Sequence, residues 1–490
     1  MNIATYIDPI TNGEILITKL LQDKFAISSE NTKYIYEKYV KNHFDRLKDS
    51  IYLLVETNYV DKVYRDSYYC YYSSKLSDYK RYCIKISLFE GSISKSDFWN
   101  TDQYSFLQEK YRGFIVLRPT WPQIIGRNII SPAALKATNF LTCTATYHTT
   151  VNGQKFTVEG FPHSSQDAET ITCAETTLWA IMEYFGNKYP DYKPTLPSKI
   201  VHALKKISYE RQLPSKGLLI NQLSFALKEF GFGTRIYSRN EYSNEFDNLL
   251  SCYIESGIPV IAAMENKTIG HALLVIGHEK IDATKVDLDF ASGDIYDYNA
   301  IKKNFIFGDD NHPIYQKAPI ETPALYYNDG RWKDCKINYF IVPLYTKIYL
   351  DAFEAKTWAF RFLQYLLKFL HCDNPSIVLR LFLASSRTFK DTIALNATMQ
   401  DSLKIFLMES VTPKFIWIAE ISTKDLIKQN MANGIVVFDA TEKNTFFWKP
   451  LILAAFKDNV VDLDKTGKLT KKIVPFLNFK IFEHNLKMYD

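Results

Sequence analysis

Gln166-Asp-Ala-Glu-Thr-Ile-Thr-Cys173-Ala-Glu-Thr-Thr-Leu-Trp-Ala180 reads as a loop running into a helix. Gly270-His271-Ala-Leu-Leu-Val-Ile-Gly277 reads as an apolar strand with a histidine at its head. The helix is set by Ala174, Leu178, Ile181, Met182 and Phe185, which recur with the spacing of one apolar helical face. Thr170 or Thr172 is placed to cap its N-terminus, and Gly186 stands where a C-terminal cap is expected. A thiol at a helix start and an imidazole at a strand edge are the two halves of a cysteine nucleophile and its base.

Outward from these two stretches, the periodicity predicts further helices near 198–207, 218–230 and 246–255. Strands are predicted near 258–264, 272–276 and 305–307. A helix-rich half followed by a sheet is an α+β arrangement. On the N-terminal side, a helical stretch near 31–47 and β-rich segments at 51–55, 82–89 and 114–117 suggest an α/β region. Arg118-Pro-Thr-Trp-Pro122 breaks that pattern, and residues 141–160 alternate like strands around a turn at Val151-Asn-Gly-Gln. On the C-terminal side, the apolar runs 377–384, 415–419 and 434–438 read as buried strands, with a helix over 352–369 before them. The expected division is therefore 1–155, 156–345 and 346–490: two α/β flanks around a central α+β domain.

Composition narrows the function. Hydrophobic residues are 47% and charged residues 23% of the 490, as in ordinary globular proteins. The net charge of +5 is small for this length and is spread along the chain, which disfavours nucleic-acid binding. No apolar run approaches the ~20 residues of a membrane helix. The N-terminus lacks a basic segment followed by an apolar one, so no signal peptide is read there. The seven cysteines form no Cys-x-x-Cys pair, and their number is odd. That argues against a zinc site or a disulfide framework and for a reducing, cytoplasmic setting. No glycine-rich phosphate loop is present, so no cofactor and no metal is expected.

The chemistry rests on four residues. The free N–H groups and dipole of a helix N-terminus favour an anion, so a thiol at Cys173 is placed to react as thiolate. Alone it would be read as packing, because free cysteine is among the most buried residue types. His271 leads its strand and can face a helix end from the sheet rim, whereas His278 closes the same strand on the other face and is read as structural. Phe305-Ile-Phe-Gly-Asp309-Asp310-Asn311 is a short apolar strand ending in acid. Asp309, at the strand end, is chosen over Asp310 to orient the imidazole. Gln166, seven residues before Cys173, can offer a carboxamide beside the Cys173 N–H for an oxyanion.

This order of Gln, Cys at a helix start, His at a strand start and Asp at the end of the next strand resembles the papain-like cysteine peptidases. Gly270-His271-Ala-Leu-Leu-Val-Ile-Gly277-His278 is similar to the His-Ala-x-x-x-x-Gly-Tyr stretch of that superfamily. Asp in the third position, and Ala rather than Trp after the Cys, look more like the branch that processes bacteriocins after double glycine. The resemblance covers about residues 160–345. The Gln-to-Cys gap is one residue longer than usual, so Ser165 or a backbone group stands as an alternative oxyanion donor. The resemblance implies a papain-like fold, a protein or peptide substrate, and cleavage of an amide through a Cys-His-Asp triad and an acyl-thioester. Transfer of a glutamine side-chain acyl group to an amine, or its deamidation by water, as in a transglutaminase or deamidase, uses the same residues. A catalytically inactive interaction platform is the alternative from a different class, and the flanks offer surface for a protein partner.

Overall fold

The computed structural model describes residues 4–282, 284, 288, 294–372, 376–483 and 485–490. They form a mixed helix-and-sheet, α+β structure built on three large sheets.

The first sheet orders its strands Thr5–Pro9, Ile51–Tyr59, Cys83–Glu90, Tyr111–Leu117, Ile125–Ile130, Gln154–His163 and Ala145–Val151. Every neighbouring pair is antiparallel. Its last hairpin is the clearest case of sequence dictating structure. Ala145–Val151 alternates buried and exposed residues along its length. Asn152 and Gly153 both take positive φ, the geometry of a two-residue hairpin turn.

The second sheet runs Gln316–Pro319, Asn304–Gly308, Gly270–Glu279, Val260–Glu265, Lys336–Tyr345 and Phe232–Ser238. The helix Cys173–Lys188 packs on it and is buried on every side from Ala174 to Phe185, as a core helix must be. Gly186 does not cap this helix. It lies inside the helix, and it is glycine because a Cβ there would sit 2.3 Å from the backbone nitrogen of Pro194. Its role is close approach of two chain segments rather than a turn.

The third sheet orders Ile295–Asp297, Ile377–Ser385, Phe415–Ser422, Gly434–Asp439, Leu451–Phe456, Asn459–Leu463 and Leu469–Ile473. Its continuous apolar runs arise because both faces are covered. Leu379, Leu381 and Leu383 point into the main core, with Trp358 and Phe362 of the helix Ala352–Phe369. Phe382 and Ala384 face a second core with Phe389, Ile393 and Leu403. Residues of opposite parity thus enter different cores.

Two expectations need correction. The flanks are not α/β in the parallel sense: among the described residues only Ile295–Asp297 against Ile377–Ser385 is a parallel pair. The apolar strand signal reports double-sided burial, which a helix-covered antiparallel sheet also produces. The sheets also exchange strands across the expected boundaries. Gln154–His163 spans the first boundary, and Phe140–Thr142 and Lys487–Tyr489, from the two expected flanks, both join the second sheet. The buried ion network of Arg380 with Glu255, Glu420 and, through Glu255, His278 ties the helix Phe246–Glu255 and the second sheet to the third sheet. No helix among the described residues is long and apolar enough to cross a membrane.

Candidate active site

Cys173 is the first residue of its helix. Thr172 is the N-cap, and the Glu175 carboxylate accepts from its backbone N–H at 3.1 Å and from its hydroxyl. Glu175 thus satisfies the N–H of the N-cap residue from inside the first turn. Glu175 is buried and also takes the hydroxyl of Ser215. The approach loop is fastened by Asp167, whose carboxylate accepts from the N–H groups of Glu169, Thr170 and Ile171. Arg118, just past its strand in the first sheet, donates to the carbonyls of Ser165 and Gln166, both at 2.7 Å. The first sheet therefore sets the height at which the thiol stands. Cys173 is half-buried, while Cys83, Cys143, Cys252 and Cys335 are buried.

His271 and Asp309 come together through strand register. Leu274 lies opposite Gly308, so the next residue, Asp309, falls on the diagonal that reaches back toward His271. His271 Nε2 donates to Asp309 Oδ1 at 3.0 Å. Cys173 also acts on the same ring: against burial, it raises the His271 pKa after Asp309 does. Because Nε2 is engaged, Nδ1 is the ring nitrogen left for the thiol.

Asp309 is 0% exposed, and its carboxylate is fully used. Oδ1 also accepts the N–H of Asn311 at 3.0 Å, and Oδ2 accepts the hydroxyls of Tyr326 at 2.9 Å and Tyr327 at 2.6 Å. Burial works against its charge, but the imidazole of His271 and these donors outweigh burial and hold the carboxyl well below the usual carboxylate range. Reciprocally, burial opposes the imidazolium, yet Asp309 and then Cys173 raise the His271 pKa well above that of free histidine. His163 is different. Burial keeps it neutral, Nε2 donates to the Asp309 carbonyl at 2.8 Å, and Nδ1 accepts from Asn128. It pins the backbone of the acidic residue to the first sheet.

The Gln166 carboxamide donates to Asn311 Oδ1 at 3.1 Å, so it joins the Asp309 side of the site. His278 is engaged with Glu255 at 3.0 Å and takes no part. The trio His271, Asp309 and Asp310 has ligand atoms within 4.8 Å of one another, a spacing that could suit a cation. With all of Asp309's hydrogen-bond partners in place, a cation there would have to displace one of them.

Several residues were missed in the sequence. Tyr326, Tyr327 and Trp332 build an aromatic wall: Trp332 meets His271 edge-on at 5.3 Å and stacks on Tyr327 at 4.2 Å. A cleft of about 480 Å³ opens beside it, bordered by Leu325, Tyr327, Trp332 and Cys335. These residues lie in an irregular turn-rich segment with no period to read. Arg118 and His163 come from another sheet, and no local pattern connects them to Cys173.

Comparison with protein-family models and with curated proteins gave no match.

Proposed function

We propose that this chain is a thiol amide hydrolase, a cysteine peptidase or isopeptidase of papain-like architecture, acting through Cys173, His271 and Asp309. One observation carries the reading: groups from a helix start, a strand start and a strand end act on one imidazole, with His271 held against a desolvated Asp309 and its pKa raised further by Cys173. A raised His271 pKa favours the imidazolium that a thiolate needs beside it.

In this reading, the Cys173 sulfur attacks the carbonyl carbon of the substrate amide. The C–N bond breaks as His271 passes its proton from Nδ1 to the leaving amine, and an acyl-thioester remains on Cys173. Water then attacks the thioester carbonyl while His271 takes a proton from it, and the C–S bond breaks to release the acid and restore the Cys173 thiolate beside the imidazolium. Asp309 keeps Nε2–H oriented and balances the imidazolium charge. The Cys173 N–H at the helix start would receive the oxyanion; the Gln166 carboxamide, given to Asn311, supports the Asp309 side instead. An amine in place of water would turn the same intermediate to acyl transfer. The substrate is a protein or peptide, and seven free cysteines fit a reducing, cytoplasmic setting.

The test is to incubate the protein with peptide pools and ubiquitin-like conjugates, quench in acid, and look for an acyl adduct on Cys173 by mass spectrometry. The proposal expects an adduct in the parent and none in His271→Ala. Cleavage that persists in Cys173→Ala would overturn it.

A further inference from the structure

Asp310 adjoins Asp309 and reaches the same imidazole edge. Its Oδ1 lies 3.4 Å from His271 Nε2, against 3.0 Å for Asp309 Oδ1. The two neighbours are treated very differently. Asp309 receives four donors. Neither carboxylate oxygen of Asp310 has a hydrogen-bond partner among the described residues, and the residue is only 4% exposed. The 3.4 Å contact is a charge contact, since the single Nε2–H is already given to Asp309.

A buried carboxylate without donors is costly when ionised. His271 is already paired with Asp309, and the Arg118 charge is spent on the carbonyls of Ser165 and Gln166. A second anion would stand in a dry place with no cation of its own. The groups facing Asp310 are His271 from its strand, Asp309 beside it, Arg118 from the first sheet, and the phenols of Tyr326 and Tyr327. Of these, Arg118 is committed to the carbonyls of Ser165 and Gln166 and makes no hydrogen bond to Asp310.

We propose that Asp310 is a positioning residue for the Cys173–His271 pair: a second carboxyl on the Nε2 edge of His271 that carries a proton at rest and, when it loses that proton to solvent, tightens the hold on the imidazolium. The inference rests on the triad reading above. It is consistent with the carboxyl being pushed up to about 7, first by burial, against the pull of His271, and then by the Asp309 charge. The site would then change its grip on the catalytic proton near neutral pH, which one carboxylate alone does not provide. A tighter imidazolium is a weaker acid toward the leaving amine.

The experiment follows the imidazole directly. The full-length chain is labelled at histidine Cε1, and the His271 resonance, assigned from His271→Ala, is followed across pH in the parent, Asp310→Asn and Asp310→Ala. Alkylation of Cys173 is measured in parallel. The parent should show an inflection near 7 beyond the titration of His271 itself, and both readouts should lose it in the Asp310 variants. A parent without that inflection, or folded variants that retain it, would overturn the proposal. Should Cys173 prove no more reactive than the other cysteines while the His271 inflection still depends on Asp310, the triad reading fails and the Asp310–His271 coupling stands.

Discussion

Replacing Asp309 by asparagine keeps the shape of the site and removes only the charge. His271 Nε2 lies 3.0 Å from Asp309 Oδ1, which puts the charge centres about 4 Å apart. At an effective dielectric near 20 that attraction is worth about 4 kcal/mol. An asparagine oxygen retains a neutral hydrogen bond worth about 1 kcal/mol, leaving a loss of about 3 kcal/mol. That corresponds to about a hundredfold fall in the imidazolium–thiolate population. Asp310 remains 3.4 Å from the same nitrogen and can return part of the loss by ionising, so the fall should lie between about tenfold and a hundredfold. The assay is the rate of iodoacetamide alkylation at Cys173 in mildly acidic buffer, read by mass spectrometry. With the asparagine oxygen kept on His271, its amide takes the Oδ2 place and can donate to the phenol oxygens of Tyr326 and Tyr327, so the variant should fold. A folded Asp309→Asn protein whose Cys173 reacts as fast as the parent would refute the reasoning and move the orienting role to Asp310.

Three further expectations concern stability. Arg380→Ala should cost about 3–5 kcal/mol in urea unfolding, because Glu255 and Glu420 lose the cation between them inside the core; a loss under about 1 kcal/mol would contradict this. Gly186→Ala should destabilise by about 2 kcal/mol and lower the melting temperature, since the added methyl meets Pro194 backbone that cannot turn aside; an unchanged melting temperature would show that the two segments are not pressed together. Asp310 gives a pH-dependent case. Its carboxyl is raised from 3.8 to about 7, so the folded state keeps a proton that the unfolded chain releases. The resulting penalty grows as pH climbs through that window and is constant above it. The unfolding free energy of Asp310→Asn, relative to the parent, should therefore shift in the variant's favour from acid to neutral pH, and a flat difference would contradict the assignment.

The sequence was most legible where a period of one element carried the signal. The helix Cys173–Lys188 and the strand Gly270–Glu279 stand where their apolar spacing puts them, and so does the helix Ala352–Phe369. Cys173, His271 and Asp309 could be named because each sits at an element boundary, where local pattern and chemistry coincide. The supports of the site were not legible. Arg118 and His163 act from a different sheet, and Tyr326, Tyr327 and Trp332 from a turn-rich segment, so nothing near Cys173 in the chain announces them. Gly186 was misread because a glycine demanded by close approach looks, in one dimension, like a glycine demanded by a cap. The exchange of strands between sheets was hidden because pairing partners such as Phe140–Thr142 and Lys487–Tyr489 lie hundreds of residues apart in the chain.

The central claim is that Cys173 and His271 act as one pair. Its most direct test is the pH dependence of Cys173 alkylation, resolved from the other six cysteines, in the parent and in His271→Ala. The account predicts that Cys173 reacts well ahead of the others in acidic buffer and that His271→Ala abolishes this lead. Equal reactivity of Cys173 and the other half-buried cysteine, Cys372, or a lead that survives without His271, would contradict it.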